Sequence, residues 1–367
     1  MGHEVDILGV GEKSNSGDAI ALRFGNLHGD RSEQVVVIID GGYKDDGQKL
    51  VEHITEHFDT NKVDVVISTH PDQDHINGLQ TVIEELEVSE LWIHKAWDHN
   101  EGLAAEFKDG RITDNSISER LKESLNQAHE LVKKAEEKGI IIREPFTGLT
   151  RYGIRILGPS LEFYEKLLPQ FDGMPEAKKI DETAKKSLAA ALLDSAKAMV
   201  HMVFPKWGTD EIDDEDGTSA KNNSSVITQI VDDGHRLIFT GDAGITALNY
   251  AANELEGDQD DATLTFFQIP HHGSRRNIGP EVLNRLIGKP LESEGGSRHF
   301  SAIASTAKEG EPKHPHKSVL NAFIHRGATV HATRGLGIRH NRNAPERRGW
   351  GALNGEPFST EPYEEEA

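Results

Sequence analysis

The feature that most limits what this chain can fold into is residues 68–78, where metal-ligand side chains directly follow an apolar run. Four candidate ligands fall within six residues: His70, Asp72, Asp74 and His75. Residues 63–68 predict a buried strand and residues 76–83 the start of a helix. Buried imidazoles and carboxylates are costly unless something neutralises them, and a divalent metal such as zinc, manganese or iron does so. The simpler interpretation, a turn in which Asp74 only caps the helix, leaves both histidines and Asp72 without a role.

Length and composition exclude several classes of protein. The 367 residues suffice for one large domain or two ordinary ones. The chain has no cysteine, which excludes disulfides, zinc–thiolate sites and thiol nucleophiles. No apolar run approaches the roughly 18 residues that span a bilayer, and the N-terminus lacks the features of a secretion signal. We therefore expect a cytoplasmic protein without membrane contact.

The charge of the chain is strongly negative but uneven. A formal charge of −22 argues against broad, non-specific binding of nucleic acid. Residues 313–348 nevertheless carry eight Lys or Arg and one acid. This basic segment either meets a phosphate-bearing substrate or packs against the acidic body, and the sequence leaves both open. The acidic loop at residues 210–216 is expected to be solvated; a role in metal loading or substrate exclusion is the second interpretation.

Strand and helix patterns alternate along most of the chain, which indicates a layered α/β fold. Strands are predicted at residues 4–10, 19–25, 34–39, 91–94, 140–142, 152–157, 225–231, 235–242, 264–269, 300–305 and 328–332. Helices are predicted at about residues 47–57, 117–138, 160–168, 177–202, 244–254, 279–287 and 317–325. Polar, helical stretches at about residues 98–138 and 160–221 interrupt the alternation.

Two more predicted strands end in ligand-type side chains. Thr240-Gly241-Asp242 follows one strand, and Pro270-His271-His272-Gly273-Ser274 follows another. If these strands are neighbours of the strand before His70 in one sheet, the ligands converge at one edge. The sequence therefore predicts a single site built from distant segments.

Taken in order, the motifs resemble the metallo-β-lactamase superfamily, and within it the hydrolase domain of ComEC-type competence proteins. Further parts of this resemblance are Ser16-Gly17-Asp18-Ala19, Leu157-Gly158-Pro159, Asn222-Asn223-Ser224-Ser225 and His314-Pro315-His316. The resemblance covers about residues 4–335 apart from the helical stretches. It implies a four-layer αββα sandwich over residues 1–350, with helical insertions at about 98–138 and 160–221. Residues 351–367 are expected to form a flexible acidic tail.

The resemblance also implies two metal positions, holding one or two divalent ions. One position would use His70 and Asp72, the other Asp74, His75 and His271, and Asp242 would bridge them. This sequence departs from the wider superfamily at Asp72, which replaces a histidine, and at the third-motif histidine, which has no evident counterpart. Residues 222–223, both Asn, stand in that region. Because three carboxylates favour harder ions, manganese competes with zinc, and iron is a further candidate.

The implied chemistry is hydrolysis by a metal-activated hydroxide, without a serine or cysteine nucleophile. The candidate catalytic residues are Asp74, His272, His314 and His316, and Asp40 is expected to orient a histidine ligand. For His272 a structural hydrogen bond, and for the other two histidines a plain loop before the last helix, are the alternatives.

We expect a phosphodiesterase or nuclease acting on a phosphate-containing substrate, with nucleic acid as one candidate. Hydrolysis of a small ester, lactone, thioester or lactam is the second hypothesis. A non-catalytic metal-binding partner protein is the third. The helical insertions are candidates for binding a protein partner.

Overall fold

The computed structural model describes residues 1–11, 15–178, 200–257, 261–294, 296–297, 299–309 and 314–366. Most of the helix predicted near residues 177–202 lies outside the described residues. In chain order the strands are β1 (Gly2–Ile7), β2 (Ala19–Gly25), β3 (Gln34–Gly41), β4 (Lys62–Ile67), β5 (Glu87–Trp92), β6 (Ile141–Arg143), β7 (Thr150–Arg151), β8 (Ile154–Gly158), β9 (Val200–Val203), β10 (Ile227–Asp232), β11 (His235–Phe239), β12 (Thr263–Gln268), β13 (Phe300–Ala304), β14 (Ala328–Ala332), β15 (Ile338–Arg342) and β16 (Tyr363–Glu366).

The α-helices lie mainly between strands, as the alternation predicts. In the described ranges they are α1 (Lys44–His57), α2 (Gln73–Ile76), α3 (Leu79–Glu85), α4 (Asp114–Ser124), α5 (Asn126–Glu137), α6 (Leu161–Leu167), α7 (Ala220–Asn223), α8 (Ile245–Glu256), α9 (Pro280–Ile287) and α10 (Lys317–Ile324). The single helix expected at residues 117–138 is instead two helices, α4 and α5, because the backbone of Leu125 is not helical. Within the part of the chain that the structure describes, no helix is both long enough and apolar enough to cross a bilayer.

The strands form two seven-stranded sheets. The first has the order β15-β1-β2-β3-β4-β5-β6 and the second the order β14-β13-β12-β11-β10-β8-β7. In the first sheet β3 to β6 are parallel, and in the second β11 to β14 are parallel. The carboxyl ends of parallel strands lie at one edge of their sheet, and the candidate site is built at this edge.

The two sheets pack face to face, and helices cover their outer faces. Along β3, Val37 and Ile39 belong to a buried cluster shared by the two sheets. Val36 and Ile38 point the other way and pack in the cluster that contains Leu50 of α1. This alternation follows from the two-residue period of a strand, and each buried aliphatic side chain contributes about 1.5–3 kcal/mol. The four-layer αββα sandwich predicted from the sequence is confirmed.

Strand β15 was not predicted from the sequence. Its residues lie in the basic segment and show little apolar alternation, yet they pair antiparallel with β1. The pairing brings Nε of Arg339 to 2.5 Å and Nη2 of Arg347 to 2.6 Å from Oε1 of the buried Glu4. Ion pairs thus stabilise this edge strand, which has few apolar side chains to bury.

The whole basic segment follows the same pattern. Most of its described cations pair with acids outside the segment: Lys317 with Glu361, Arg326 with Asp210, Arg334 with Glu356, Arg339 with Glu4, Arg342 with Asp233, and Arg347 with Glu4 and Asp6. Of the two interpretations that the sequence left open, packing against the acidic body is the one these contacts favour. The basic segment therefore gives no support to a phosphate-binding surface.

The tail after Trp350, for which the sequence predicts flexibility, contacts the helices that cover the second sheet. The side chain of Asn321 exchanges two hydrogen bonds with the backbone of Ser359, at 2.8 and 2.9 Å. The ring centroid of Phe358 lies 5.1 Å from that of Trp207. Residues 363–366 pair with β9. The tail therefore covers part of the second sheet's helical layer.

The acidic loop at residues 210–216 caps two helices. Oδ1 of Asp214 accepts the backbone N–H of Glu281 in α9 (3.0 Å), and Oδ2 of Asp216 accepts that of Thr246 in α8 (2.8 Å). The N-cap residues of both helices are glycines, which cannot cap with a side chain. The loop therefore has a structural role that neither interpretation of the sequence foresaw.

Candidate metal centre

Three segments at strand ends form the candidate metal centre. Residues 68–75 follow β4, Asp242 lies just after β11, and residues 270–274 follow β12. The strands β11 and β12 are parallel neighbours, whereas β4 belongs to the other sheet. A hydrogen bond from the N–H of Val226 to the carbonyl of Thr69 (3.0 Å) joins the sheets here. The ligands therefore converge across two sheets, whereas the sequence suggested neighbouring strands of one.

His70 and His75 are both anchored to Asp40, as the sequence predicts for one histidine. Nδ1–H of His75 donates to Oδ2 of Asp40 (2.7 Å). Thr69 donates to the same carboxylate through its hydroxyl (2.6 Å) and its backbone N–H (2.8 Å). Nδ1 of His70 lies 3.0 Å from that hydroxyl oxygen, which accepts its proton. One carboxylate therefore fixes the orientation of two imidazoles, as outer-sphere groups do in metal sites.

His271 and His272 are anchored in the same way but in different directions. Nδ1–H of His271 donates to Oδ1 of Asn277 (2.8 Å), and Nδ1–H of His272 donates to the carbonyl of Ser305 (3.0 Å). Both residues adopt left-handed backbone angles, with φ of 46° and 57°. Asn277 is itself held by the carbonyl of Asp242, to which its amide donates (2.9 Å). This tight turn sends two consecutive side chains into one site.

With every Nδ1 engaged, the four Nε2 atoms face two carboxylates. Nε2 of His75 lies 3.4 Å from Oδ1 of Asp242 and 3.7 Å from Oδ2 of Asp74. Nε2 of His70 and of His271 lie 3.7 and 3.6 Å from Oδ2 of Asp242. Nε2 of His272 lies 3.5 Å from Oδ2 of Asp74. These separations suit atoms that share a metal ion rather than a direct hydrogen bond.

Burial provides an independent test of whether a metal fits. Among the described residues, Nε2 of His70, His75 and His272 and Oδ1 of Asp242 are buried and have no hydrogen-bond partner. Buried polar atoms are normally satisfied, so such a set requires an explanation. Asp74, His75 and His272 offer ligand atoms that all lie within 4.8 Å of one another, as do Asp18, Asp242 and His272. The donor set of nitrogen and carboxylate oxygen fits a divalent transition metal.

In the metal-free cluster, protons on imidazoles balance the negative charges of the carboxylates. Burial would lower the pKa of His75 and His272, but Asp242 and Asp74 outweigh it, raising the pKa of His75 and bringing that of His272 to about 9. Burial likewise opposes ionisation of Asp74, but His75 and His272 lower its pKa to about 2. Burial and the charge of His75 lower the pKa of His70. A metal ion would replace these imidazole protons as the positive partner of the carboxylates.

Asp72 lies at the edge of the cluster and has a second partner. Its Oδ2 is 3.8 Å from Nε2 of His70, but its Oδ1 accepts a hydrogen bond from Nζ of Lys221 (2.9 Å). The ammonium of Lys221 also lies 3.4 Å from Asp172. Lys221 comes directly before Asn222, in the region where the sequence lacks the third-motif histidine. A cation thus stands beside the metal position that is poorest in nitrogen ligands.

The structure separates His314 from His316. The ring centroid of His314 lies 5.8 Å from that of His271, so this residue borders the cluster. Nδ1 of His316 accepts the backbone N–H of Ser318 (3.3 Å) and caps α10. Burial lowers the pKa of both imidazoles to about 4, helped by nearby histidines for His314 and by Arg275 for His316. The hydrogen bond at Nδ1 of His316 therefore favours the alternative in which this residue belongs to the loop before the last helix.

Two residues lie where the sequence did not assign them. His272, predicted only as a catalytic candidate, is more buried than His271, and its Nε2 lies 3.5 Å from Oδ2 of Asp74, so it offers a nitrogen at the position to which the sequence assigned His271. Asp18 is buried beside His75, and burial raises its pKa to about 6 despite the opposing charges of His272 and His75. It accepts a hydrogen bond from Gln268, 250 positions later in the chain (2.8 Å). The sequence showed Asp18 only within a motif of the resemblance.

Comparison with known proteins agrees with this site. Residues 31–150 match the model of the metallo-beta-lactamase superfamily. Among solved structures, a candidate metallo-beta-lactamase of Thermotoga maritima shares 11% identity, with 71% of this chain and 88% of that chain covered and a TM-score of 0.31. A metallo-beta-lactamase of Hirschia baltica also shares 11%, with 77% and 90% covered and a TM-score of 0.28. Both likenesses are too weak to carry an argument.

No curated protein matches the sequence. The family match includes β3, β4 and the segment from His70 to His75, which are the parts of the fold that build the anchored imidazoles. Over residues 31–150 the chain is therefore similar to the metallo-beta-lactamase superfamily, whose members are generally metal-dependent hydrolases.

Proposed function

We propose that this protein is a metal-dependent phosphodiesterase, with nucleic acids as the first candidate substrates. The observation that carries the metal-dependent part is the set of four imidazoles whose Nδ1 atoms are held while their Nε2 atoms face Asp242 and Asp74. Such prearranged nitrogens and carboxylates are what a metal hydrolase needs before it meets its substrate.

The residues divide between two metal positions. His70, Asp72 and Asp242 would hold one ion, and His271 would take the place of the missing third-motif histidine. The other ion would be held by Asp74, His75, His272 and Asp242. When bound, such ions lower the pKa of water and neutralise charge on a reacting oxygen. Because carboxylates are numerous, manganese and zinc are the first candidates, with iron next.

Phosphodiesters are favoured over neutral esters by a cation at the edge of the cluster. Lys221 is half-buried and lies beside Asp72, where its ammonium can meet an anionic oxygen of a substrate. The ammonium of Lys221 has three donors and two carboxylate partners, Asp72 and Asp172, so one donor would be left for an anionic substrate beside the metal ions. The basic segment contributes nothing to this preference because acids neutralise it.

His314 is the residue best placed to handle a proton at the substrate. It borders the cluster, and its lowered pKa keeps the imidazole neutral at neutral pH. A neutral imidazole can donate a hydrogen bond to a leaving oxygen through one nitrogen. Asp74 stays ionised and would orient a nucleophilic water by accepting its hydrogen bond.

The test is a substrate panel with a matched inactive variant. Protein loaded with Mn²⁺ or Zn²⁺ is incubated with single- and double-stranded DNA, RNA, cyclic dinucleotides and bis(p-nitrophenyl) phosphate, and separately with nitrocefin, a lactone and a thioester. We expect phosphodiester cleavage that Asp242→Asn abolishes. Turnover of only the second group would assign the protein to small esters or lactams. Bound metal without turnover of any substrate would support the third hypothesis, a non-catalytic metal-binding partner protein.

A further inference from the structure

A second group of histidines lies at the opposite ends of the strands from the candidate metal centre. His3, His235, His299 and His340 line a cavity of about 390 Å³, together with polar residues such as Ser301. We refer to this cavity as the histidine pocket. His235 is the first residue of β11, whereas Asp242 follows the end of that strand. The two sites are therefore separated by the length of the sandwich.

Three imidazoles of the histidine pocket carry nitrogens that the structure leaves unsatisfied. Nε2 of His3, Nδ1 of His235 and Nε2 of His340 are buried and have no hydrogen-bond partner among the described residues. The ring centroid of His3 lies 5.6 Å from that of His340 and 6.1 Å from that of His235. Buried nitrogens of this kind are rare without a ligand or water, and here three belong to residues that line one cavity.

His3 has the arrangement of a metal-binding histidine. Its Nδ1 lies 3.4 Å from Oδ2 of Asp232, and both side chains are almost fully buried. A carboxylate on Nδ1 places the proton on that nitrogen and leaves the lone pair of Nε2 for a metal. His3 therefore shows the same anchoring as His75 in the candidate metal centre.

The other two imidazoles are neutral at neutral pH. Burial and the neighbouring histidines lower the pKa of His340 to about 3, and burial and the charge of Arg342 lower that of His235. A neutral imidazole offers a lone pair, which is the form that binds metals. Arg342 also lines the cavity, but its guanidinium is paired with Asp233 at 3.0 Å.

We infer that the histidine pocket binds one divalent transition-metal ion through His3, His235 and His340, with Asp232 orienting His3. Imidazole ligands without a carboxylate select zinc, nickel, copper or cobalt over magnesium and calcium. The planes of His3 and His340 are nearly parallel, at 14°, so the half-buried rings of His235 and His340 must turn toward the anchored His3 for the three nitrogens to converge.

The first experiment counts metal ions on the full chain. Chelator-treated protein is titrated with Zn²⁺ or Ni²⁺ alone, and bound metal is measured by calorimetry and by mass spectrometry. We expect His235→Gln and His340→Gln to lose one equivalent that the full chain holds, and Asp232→Asn to bind that equivalent about 10–100-fold more weakly. The exposed His28→Gln is the matched control and should bind as the full chain does. Equal stoichiometry and affinity in the pocket variants would overturn the inference.

A second experiment does not depend on variants that fold. Crystals of the full chain are soaked in Zn²⁺ or Ni²⁺ and examined by anomalous diffraction. We expect a peak in the histidine pocket within bonding distance of at least two of the three imidazoles. A peak only at the candidate metal centre, at saturating metal, contradicts the inference without bearing on the proposed hydrolase.

Discussion

Oδ2 of Asp40 lies 2.7 Å from Nδ1 of His75, and this contact sets the direction in which His75 presents Nε2. Asp40 is the next-to-last residue of β3 and has a φ of 56°, a left-handed backbone uncommon outside glycine and tolerated by Asp. That turn aims its carboxylate along the sheet edge at two segments, Thr69 and His75. A strand end thereby becomes the support of the candidate metal centre.

Replacing this carboxylate should weaken metal binding without emptying the site. Asp40→Asn keeps the shape of the side chain but removes the charge that fixes the proton on Nδ1 of His75. We expect the affinity for Zn²⁺ or Mn²⁺ to fall about 10–100-fold, measured by competition with a coloured chelator. Asp45→Asn, at an exposed acid nearby on α1, is the matched control. Unchanged affinity in Asp40→Asn would remove the orienting role.

The consecutive histidines should differ when each is truncated. Nε2 of His272 is buried and faces Asp74, whereas His271 is about one-third exposed, with its Nε2 3.6 Å from Oδ2 of Asp242 and 3.5 Å from the amide nitrogen of Asn222. We expect His272→Ala to lose the ion held with Asp74 and His75, and His271→Ala to weaken the other ion selectively. Metal equivalents per chain, measured after desalting, distinguish them. The reverse order of losses would restore His271 to the position that the sequence suggested.

Metal binding should become weaker as the pH falls. The pKa of His75 lies well above its ordinary value and that of His272 is about 9, so in the metal-free protein both imidazoles carry protons at neutral pH. A metal must displace these protons, and lower pH favours their retention. Calorimetry in buffers of different ionisation enthalpy should therefore show protons released on binding at pH 7. No proton release would mean that neither imidazole is a ligand.

Much of this site follows from local patterns, and the rest depends on distant partners. Residues 63–68 predict a buried strand because their apolar side chains are β-branched, and the ligands after them are visible in the sequence. What the sequence could not show is which consecutive histidine enters which position. That choice is made by Asn277 and Ser305, which hold the two rings from different sides. The convergence of segments from two sheets is likewise a long-range property.

The same limit explains the parts of the fold that were missed. Strand β15 has little apolar alternation, and its pairing depends on ion pairs with Glu4. The acidic loop looks solvated because its partners, Arg326 and the N-termini of α8 and α9, lie far along the chain. In each case a charged residue stabilises the fold through a distant partner, and hydrophobic periodicity does not indicate such pairs.

The buried pair of Asp210 and Arg326 should stabilise the fold in a pH-dependent way. Burial opposes ionisation of Asp210, but hydrogen bonds from Arg326 and His325 lower its pKa from 3.8 to about 2. Because the folded pKa is the lower one, the stabilisation is present above about pH 4 and is lost as the pH falls toward 2. We expect Asp210→Asn to cost about 3–5 kcal/mol at pH 7, because the buried guanidinium loses its counter-charge.

Urea unfolding measures that cost. Glu215→Gln, an exposed acid of the same loop, is the matched control and should change the free energy of unfolding by less than about 0.5 kcal/mol. If Asp210→Asn behaves like this control, the pair contributes no net stability.

The last prediction concerns Lys221, whose ammonium lies 2.9 Å from Oδ1 of Asp72. If Lys221 meets an anionic substrate oxygen, Lys221→Gln should lower kcat/KM for phosphodiesters by about 10–150-fold, the equivalent of a charged hydrogen bond of about 1.5–3 kcal/mol. Lys221→Arg should recover part of the loss because it keeps the charge. A neutral ester that the enzyme hydrolyses slowly serves as the reference substrate and should be affected far less. An equal loss on both substrates, together with weaker metal binding, would instead assign Lys221 to holding Asp72 in place.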